Sequence, residues 1–134
     1  MVTIPRKEFD LPEEDFDFLS GLGLIWETIM YSNQHWVIIH NYPIPKGYTV
    51  NNASIALRLE GYPVSQIDMA YFYPHLVRLD GKPIIRDAKL VIDDKSFQQW
   101  SRHRTNNNPW EPGEDCISTH LLMFDYLLKN ELNR

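Results

Sequence analysis

From Ala53 to Glu60 the chain alternates, with Ile55, Leu57 and Leu59 standing between Ser54, Ala56, Arg58 and Glu60. A period of two suits a strand with one buried face and does not suit a helix. Gly61-Tyr62-Pro63 closes that strand, and a strand of this kind has to find neighbours. They lie on both sides of it. Ile25, Trp26, Thr28, Ile29 and Tyr31 favour strand, Ser32-Asn33-Gln34 supplies a turn, and His35 to His40 returns as the second arm of a hairpin. Asn41 to Tyr48, with Pro43, Pro45 and Gly47, reads as a loop, and Asp68 to Tyr73 forms a fourth strand ahead of Pro74. Leu76 to Ile85 reads as a small hairpin turning at Asp80-Gly81.

Helices are expected at the two ends. Pro12 and the acids Glu13, Glu14 and Asp15 precede the apolar Phe16, Phe18 and Leu19, as at a helix start, with the acids as a solvated first turn and Gly21 and Gly23 as the stop. Between Glu114 and Leu132 the residues Ile117, Leu121, Phe124 and Leu128 share one helical face. Residues 95 to 113, with Trp100, Trp110, Asn106 to Asn108, Pro109, Pro112 and Gly113, read as a long irregular loop, a usual place for function. The order is a short helix, four antiparallel strands between residues 22 and 75, a long loop and a long helix. This is the α+β class, with the helices on one face of a meander sheet. No repeat or linker divides the 134 residues, so a single domain over 1–134 is expected.

Composition narrows the partners. A formal charge of −5 lacks the basic face with which proteins displace counterions from phosphate, so no nucleic acid is expected. No apolar run reaches the about 18 residues that span a bilayer. Met1 to Arg6 has no apolar segment of a secretory leader, and a cytoplasmic location without a membrane partner follows. Cys116 is the only cysteine, which excludes an intrachain disulfide and a cysteine-rich zinc site. Cys116, His120, His103 and His75 are metal-ligand types, but beyond the helical pair 116 and 120 no spacing favours zinc, and neither metal nor cofactor is expected.

Leu57-Arg58-Leu59-Glu60-Gly61-Tyr62-Pro63, then Asp68-Met69, Tyr73-Pro74 and finally Trp110-Glu111-Pro112 resemble, in order, the strand, Tyr-Pro and Trp-x-Pro of the ubiquitin-conjugating (UBC) fold. More narrowly, Trp100-Ser101-Arg102-His103, Trp110-x-Pro112-Gly113-x-Asp115 and Thr119-His120-Leu121 resemble the bacterial UBC-like proteins of prokaryotic family E. The resemblance spans roughly residues 20 to 130 and implies a UBC-like fold. It also implies a carrier that accepts the C-terminus of a ubiquitin-like protein from a ThiF-type activating enzyme and passes it to an amine of a target protein. Antiviral defence is a setting that such a family context suggests. In eukaryotic relatives a His-Pro-Asn triplet and a glycine precede the nucleophilic cysteine. Here Tyr73-Pro74-His75 stands at the triplet, Gly81 follows, and Ile84 falls where the cysteine belongs. Counting back from Trp110 lands instead on Ser101 and Arg102, so the usual cysteine is absent on either count.

Acyl transfer needs a nucleophile, a base and donors for the oxyanion. Ser101 with His103 supplies the first two residue types, and the carried group is then an oxyester, less reactive to amines than a thioester. Without the resemblance Ser101 reads as a solvated loop serine. Cys116 is the rival nucleophile, favoured by a helix N-terminus and by His120 four residues on. It follows the Trp-x-Pro, where the UBC active site precedes it, and a lone helical cysteine is more often a small buried hydrophobe. His120 is a base, a residue orienting Ser101, or a packed histidine bonded to backbone. Asp115, like Asp68, is a site carboxylate or a cap. Trp100, Arg102 and Trp110 are the positions expected to face a partner, although tryptophans in such places also anchor cores and loops. Two further functions stay open at this point: a catalytically inactive UBC-like adaptor, and an interaction domain of similar layout with no link to ubiquitin.

Overall fold

The computed structural model describes residues 4–134. Met1 to Thr3, the start of the stretch read as free of a secretory leader, lie outside it. Helix α1 (Glu13–Gly21) is followed by strands β1 (Trp26–Tyr31), β2 (Gln34–Pro43), β3 (Asn52–Arg58), β4 (Ala70–Tyr73), β5 (Asp87–Ile92) and β6 (Lys95–Trp100), and by helix α2 (Ile117–Glu131). All strand pairs are antiparallel, in the order β1-β2-β3-β4-β6-β5. The α+β class and its terminal helices stand as expected, with six strands where the sequence suggested four. No helix among the described residues is long and apolar enough to cross a membrane.

Three local expectations are corrected. Leu76 to Ile85 is no hairpin. Gly81 N–H does donate to Arg78 O at 3.1 Å, but the flanking residues form no strands, and the real hairpin is β5–β6. Its turn is Asp93-Asp94, with φ of 53° and 63°, the left-handed pair that a two-residue hairpin needs. Residues 95 to 100, read as the start of a loop, are therefore β6. Finally, β3 buries both faces, because Ala56 is as fully buried as Ile55 and Leu57.

That second burial follows from the extra hairpin. One face of the sheet carries Val37, Ile39, Ile55, Leu57, Phe72 and Trp100 against the stripe Ile117, Leu121, Phe124 and Leu128 of α2. No helix among the described residues covers the other, yet Ile29, Trp36, Ile38, Ala56, Tyr71, Ile92 and Phe97 form a second buried cluster. The hairpin curls back toward the opposite edge of the sheet, where Arg6 Nη2 meets Asp93 Oδ2 at 2.7 Å while its Nε meets Glu27 Oε2 at 2.9 Å. Burying large apolar side chains stabilises a fold by about 1.5–3 kcal/mol each, so both clusters weigh in the balance.

The helices lock to each other and to the sheet through buried polar groups. Asp15, read as solvated, is 2 % exposed. Its carboxylate accepts the Tyr62 hydroxyl at 2.6 Å and the Ile117 N–H at 3.2 Å, so α1 caps the N-terminus of α2. At the other end of α2, buried Arg78 donates to Glu131 O at 2.7 Å, satisfying a carbonyl that the helix leaves open.

Candidate functional site

Strand β6 delivers the Trp100-Ser101-Arg102-His103 segment to the foot of α2. Trp100 is fully buried and belongs to the core rather than to a partner-facing surface. Its indole N–H donates to Gln98 Oε1 at 2.8 Å, and its ring lies edge-on to Phe72 and Tyr48. Arg102 covers it, with the guanidinium 4.8 Å from the ring and a 3.1 Å ion pair to buried Glu131. Ser101 is the first residue past the strand. Its N–H donates to Arg86 O at 3.1 Å, and its half-buried hydroxyl accepts from Gln99 Nε2 at 3.2 Å.

His103 is exposed and faces Asp68, with Nδ1 at 2.9 and 3.1 Å from the two carboxylate oxygens. A carboxylate on Nδ1 fixes the tautomer and leaves Nε2 as the basic atom of the ring. Asp68, one of two carboxylates whose role the sequence left open, is thus the partner of His103. Next to Asp68 in the chain is Met69, a non-glycine residue at φ 61°, whose carbonyl accepts the His120 Nε2 proton at 2.7 Å. α2 is thereby tied through Met69 and Asp68 to His103.

His120 itself is fully buried against Phe124. Burial pushes its pKa down to about 4, with the bond to Met69 opposing and the Arg104 charge assisting that shift. Among the described residues its Nδ1 has no partner. Among the described residues neither imidazole hydrogen-bonds Ser101, so the structure brings Ser101 and His103 onto one short segment without joining them.

Asp115 organises the loop. It accepts the Glu111 N–H at 2.7 Å and the Thr119 hydroxyl at 2.9 Å, and lies 3.6 Å from Arg104 Nη1. Cys116 is the N-cap of α2 and is buried, with Sγ 3.1 Å from Ser118 Oγ and its N–H donating to Thr119 Oγ1 at 2.9 Å. Trp110 is half-buried, donates to Pro63 O at 3.2 Å and lies under Arg104. At the position of the UBC triplet, His75 donates to Ser96 O at 3.0 Å, and Ile84 is buried in the main core. The four metal-ligand types weighed above thus engage other groups. Sequence reasoning sees Arg104 only as part of the tight basic cluster Arg102-His103-Arg104 and gives it no site role, because no local pattern signals its burial.

No curated protein and no solved structure matches the chain. The family described as Prokaryotic E2 family E matches residues 11–131, from just before α1 to the last turn of α2, and takes in the whole sheet, Ser101, the Asp68–His103 pair and the capped start of α2; the chain belongs to that family.

Proposed function

We propose that this domain acts in the cytoplasm as an E2-like carrier in ubiquitin-like protein conjugation, with Ser101 as its acyl acceptor and His103 as the base. Membership of the family supports conjugation in general. The observation that carries the finer reading is the Asp68–His103 pair two residues from a half-exposed serine hydroxyl. In the first step Ser101 Oγ attacks the thioester carbonyl that joins the ubiquitin-like C-terminus to a ThiF-type activating enzyme. The hydroxyl proton passes to His103 Nε2 and then to the departing thiolate, and an oxyester remains. In the second step an amine of the target attacks that ester and gives up a proton to His103 Nε2, Ser101 leaves with that same proton, and an amide forms. Asp68 keeps the imidazole in the tautomer that both steps require. His120 and Asp115 hold the surrounding backbone, and Cys116 caps a helix.

Bond chemistry tests this. After incubation with the activating enzyme, the ubiquitin-like protein and ATP, the loaded protein should resist added thiol and break in alkali or hydroxylamine. Ser101→Ala should abolish loading, Ser101→Cys should make the bond thiol-sensitive, and His103→Ala should slow loading by about a hundredfold. Cys116→Ala should load as the parent does. A covalent species that persists in Ser101→Ala ends the assignment. The adaptor reading is favoured by one observation, that the Ser101 hydroxyl is held by Gln99 and by neither histidine. A parent protein that binds the ubiquitin-like protein and forms no ester would establish it.

A further inference from the structure

Arg104 follows His103 and is buried in an unusual way. Its side chain is 6 % exposed, and among the described residues Nε and Nη2 both find no hydrogen-bond partner. Nη1 has only long contacts, 3.5 Å to Asn108 Oδ1 and 3.6 Å to Asp115 Oδ2. The guanidinium lies 5.2 Å from the centre of the Trp110 ring. Beside it is a solvent-open cavity of about 390 Å³, whose wall includes Arg104, Gln66, Asn106, Val64, Pro109 and Trp110. A buried cation with two empty donors is costly. Although both donors are closed to solvent as the wall stands, a planar fork of N–H groups matches a carboxylate in two parallel hydrogen bonds once side chains of the open rim give way.

We propose that this pocket is a carboxylate site that seats an acidic side chain of the polypeptide being modified. The site stands on Arg104 alone; its assignment to the target rests on the transfer reading above. A monoanion fits better than phosphate, because Asp115 already faces the guanidinium and repels a dianion more strongly. Val64, Pro109 and Trp110 offer the apolar wall that an aliphatic stem packs on. Arg104 directly follows His103 in the chain, so a carboxylate seated here tethers the target to the same segment that carries the base.

Two measurements decide it. In the first, the isotope-labelled full chain is titrated with a capped pentapeptide containing one lysine and one glutamate, and with its glutamine twin, while the Trp110 indole and Arg104 Nε–H signals are followed by NMR. The glutamate peptide should saturate these shifts and bind about tenfold or more tightly than the twin, as one charge-assisted pair allows. Arg104→Met should remove that preference. Gln66→Glu, on the exposed rim, keeps Arg104 and sets a competing carboxylate beside the pocket, so it should weaken binding even if Arg104→Met fails to fold. Equal binding of the two peptides, or unchanged affinity in Gln66→Glu, overturns the site. In the second measurement both peptides serve as acceptors for the loaded protein, and the glutamate peptide should be modified faster. Equal rates with the binding preference intact overturn the assignment to the target. Transfer to neither peptide counts against the Ser101 reading, while the binding result stands by itself.

Discussion

At His120 burial outweighs every other influence on the ring, and the consequence for stability has a definite sign. The folded protein keeps the imidazole neutral down to about pH 4, whereas the unfolded chain takes up its proton near 6.5. Above pH 6.5 the two states bind the same number of protons at this residue, and stability is flat. Between 6.5 and 4 the unfolded state binds more, so stability falls as the solution is acidified, by up to about 3 kcal/mol, and it levels off below 4. His120→Gln should flatten that segment, which urea midpoints measured at pH 7.5 and 4.5 would reveal. A parent midpoint that does not move across this range would show that the ring reaches water. The same burial explains why His120 is a poor base for Ser101. The sequence placed it correctly beside the apolar stripe of α2, but a stripe cannot say whether a flanking histidine faces solvent or lies beneath a loop. Asp15 shows the same blindness. Three consecutive acids look alike on paper, yet only one of them faces Tyr62 and the start of α2.

The strands and helices were legible in proportion to how far their side chains alternate or form a stripe. β1 to β4 and both helices lie close to where periodicity put them, because one face of each is plainly apolar. The β5–β6 hairpin escaped notice for two physical reasons. Its turn is Asp93-Asp94, which reaches the left-handed region without the glycine that usually marks such a turn. Its return strand carries Gln98 and Gln99 side by side, and Gln98 is buried only because it bonds both the N–H and the carbonyl of Leu76. Ser101 itself lies past the strand, as a loop reading has it, but the missed hairpin concealed that a core strand leads directly into it. What holds the hairpin over the second face is Arg6, which keeps the Glu27 carboxyl at about 2 and depresses that of Asp93 too. A lowered carboxyl stabilises the fold above its unfolded value and ceases to do so as the pH falls through its folded value. Arg6→Ala should therefore destabilise the protein at pH 7 by about 1–2 kcal/mol, a figure reduced by solvent because Arg6 is 39 % exposed. The difference between parent and variant should shrink as the pH approaches 2. Calorimetric melting temperatures across pH 2–7 would show it, and a constant difference would mean that the arginine acts through packing instead.

One sheet carries both apolar clusters, and this governs how the molecule as a whole comes apart. Neighbouring residues of the same strand point into opposite clusters: Val37 and Ile39 toward α2, Trp36 and Ile38 toward the hairpin, with Ile55 and Ala56 dividing in the same way. A strand cannot release one face and keep its register, because its alternating side chains share one backbone. The two clusters should therefore melt together, although α2 covers one and only the hairpin covers the other. Two substitutions test this from opposite sides. Leu121→Ala opens the cluster under α2 at a cost of about 2–5 kcal/mol, and Phe97→Ala opens the cluster under the hairpin at about 3–5 kcal/mol. Each should lower one common transition, by roughly 3–5 °C per kcal/mol for a chain of this size, with far- and near-ultraviolet circular dichroism tracing the same curve. A Phe97→Ala protein whose aromatic signal melts well before its helical signal would show that the hairpin is a separately stable flap. Ser101 directly follows the strand that joins that hairpin to the core, and a flap moving apart from α2 would carry the serine away from the Asp68–His103 pair anchored to that helix. Cooperative melting is thus the behaviour that the transfer geometry needs, and its absence would weigh against both.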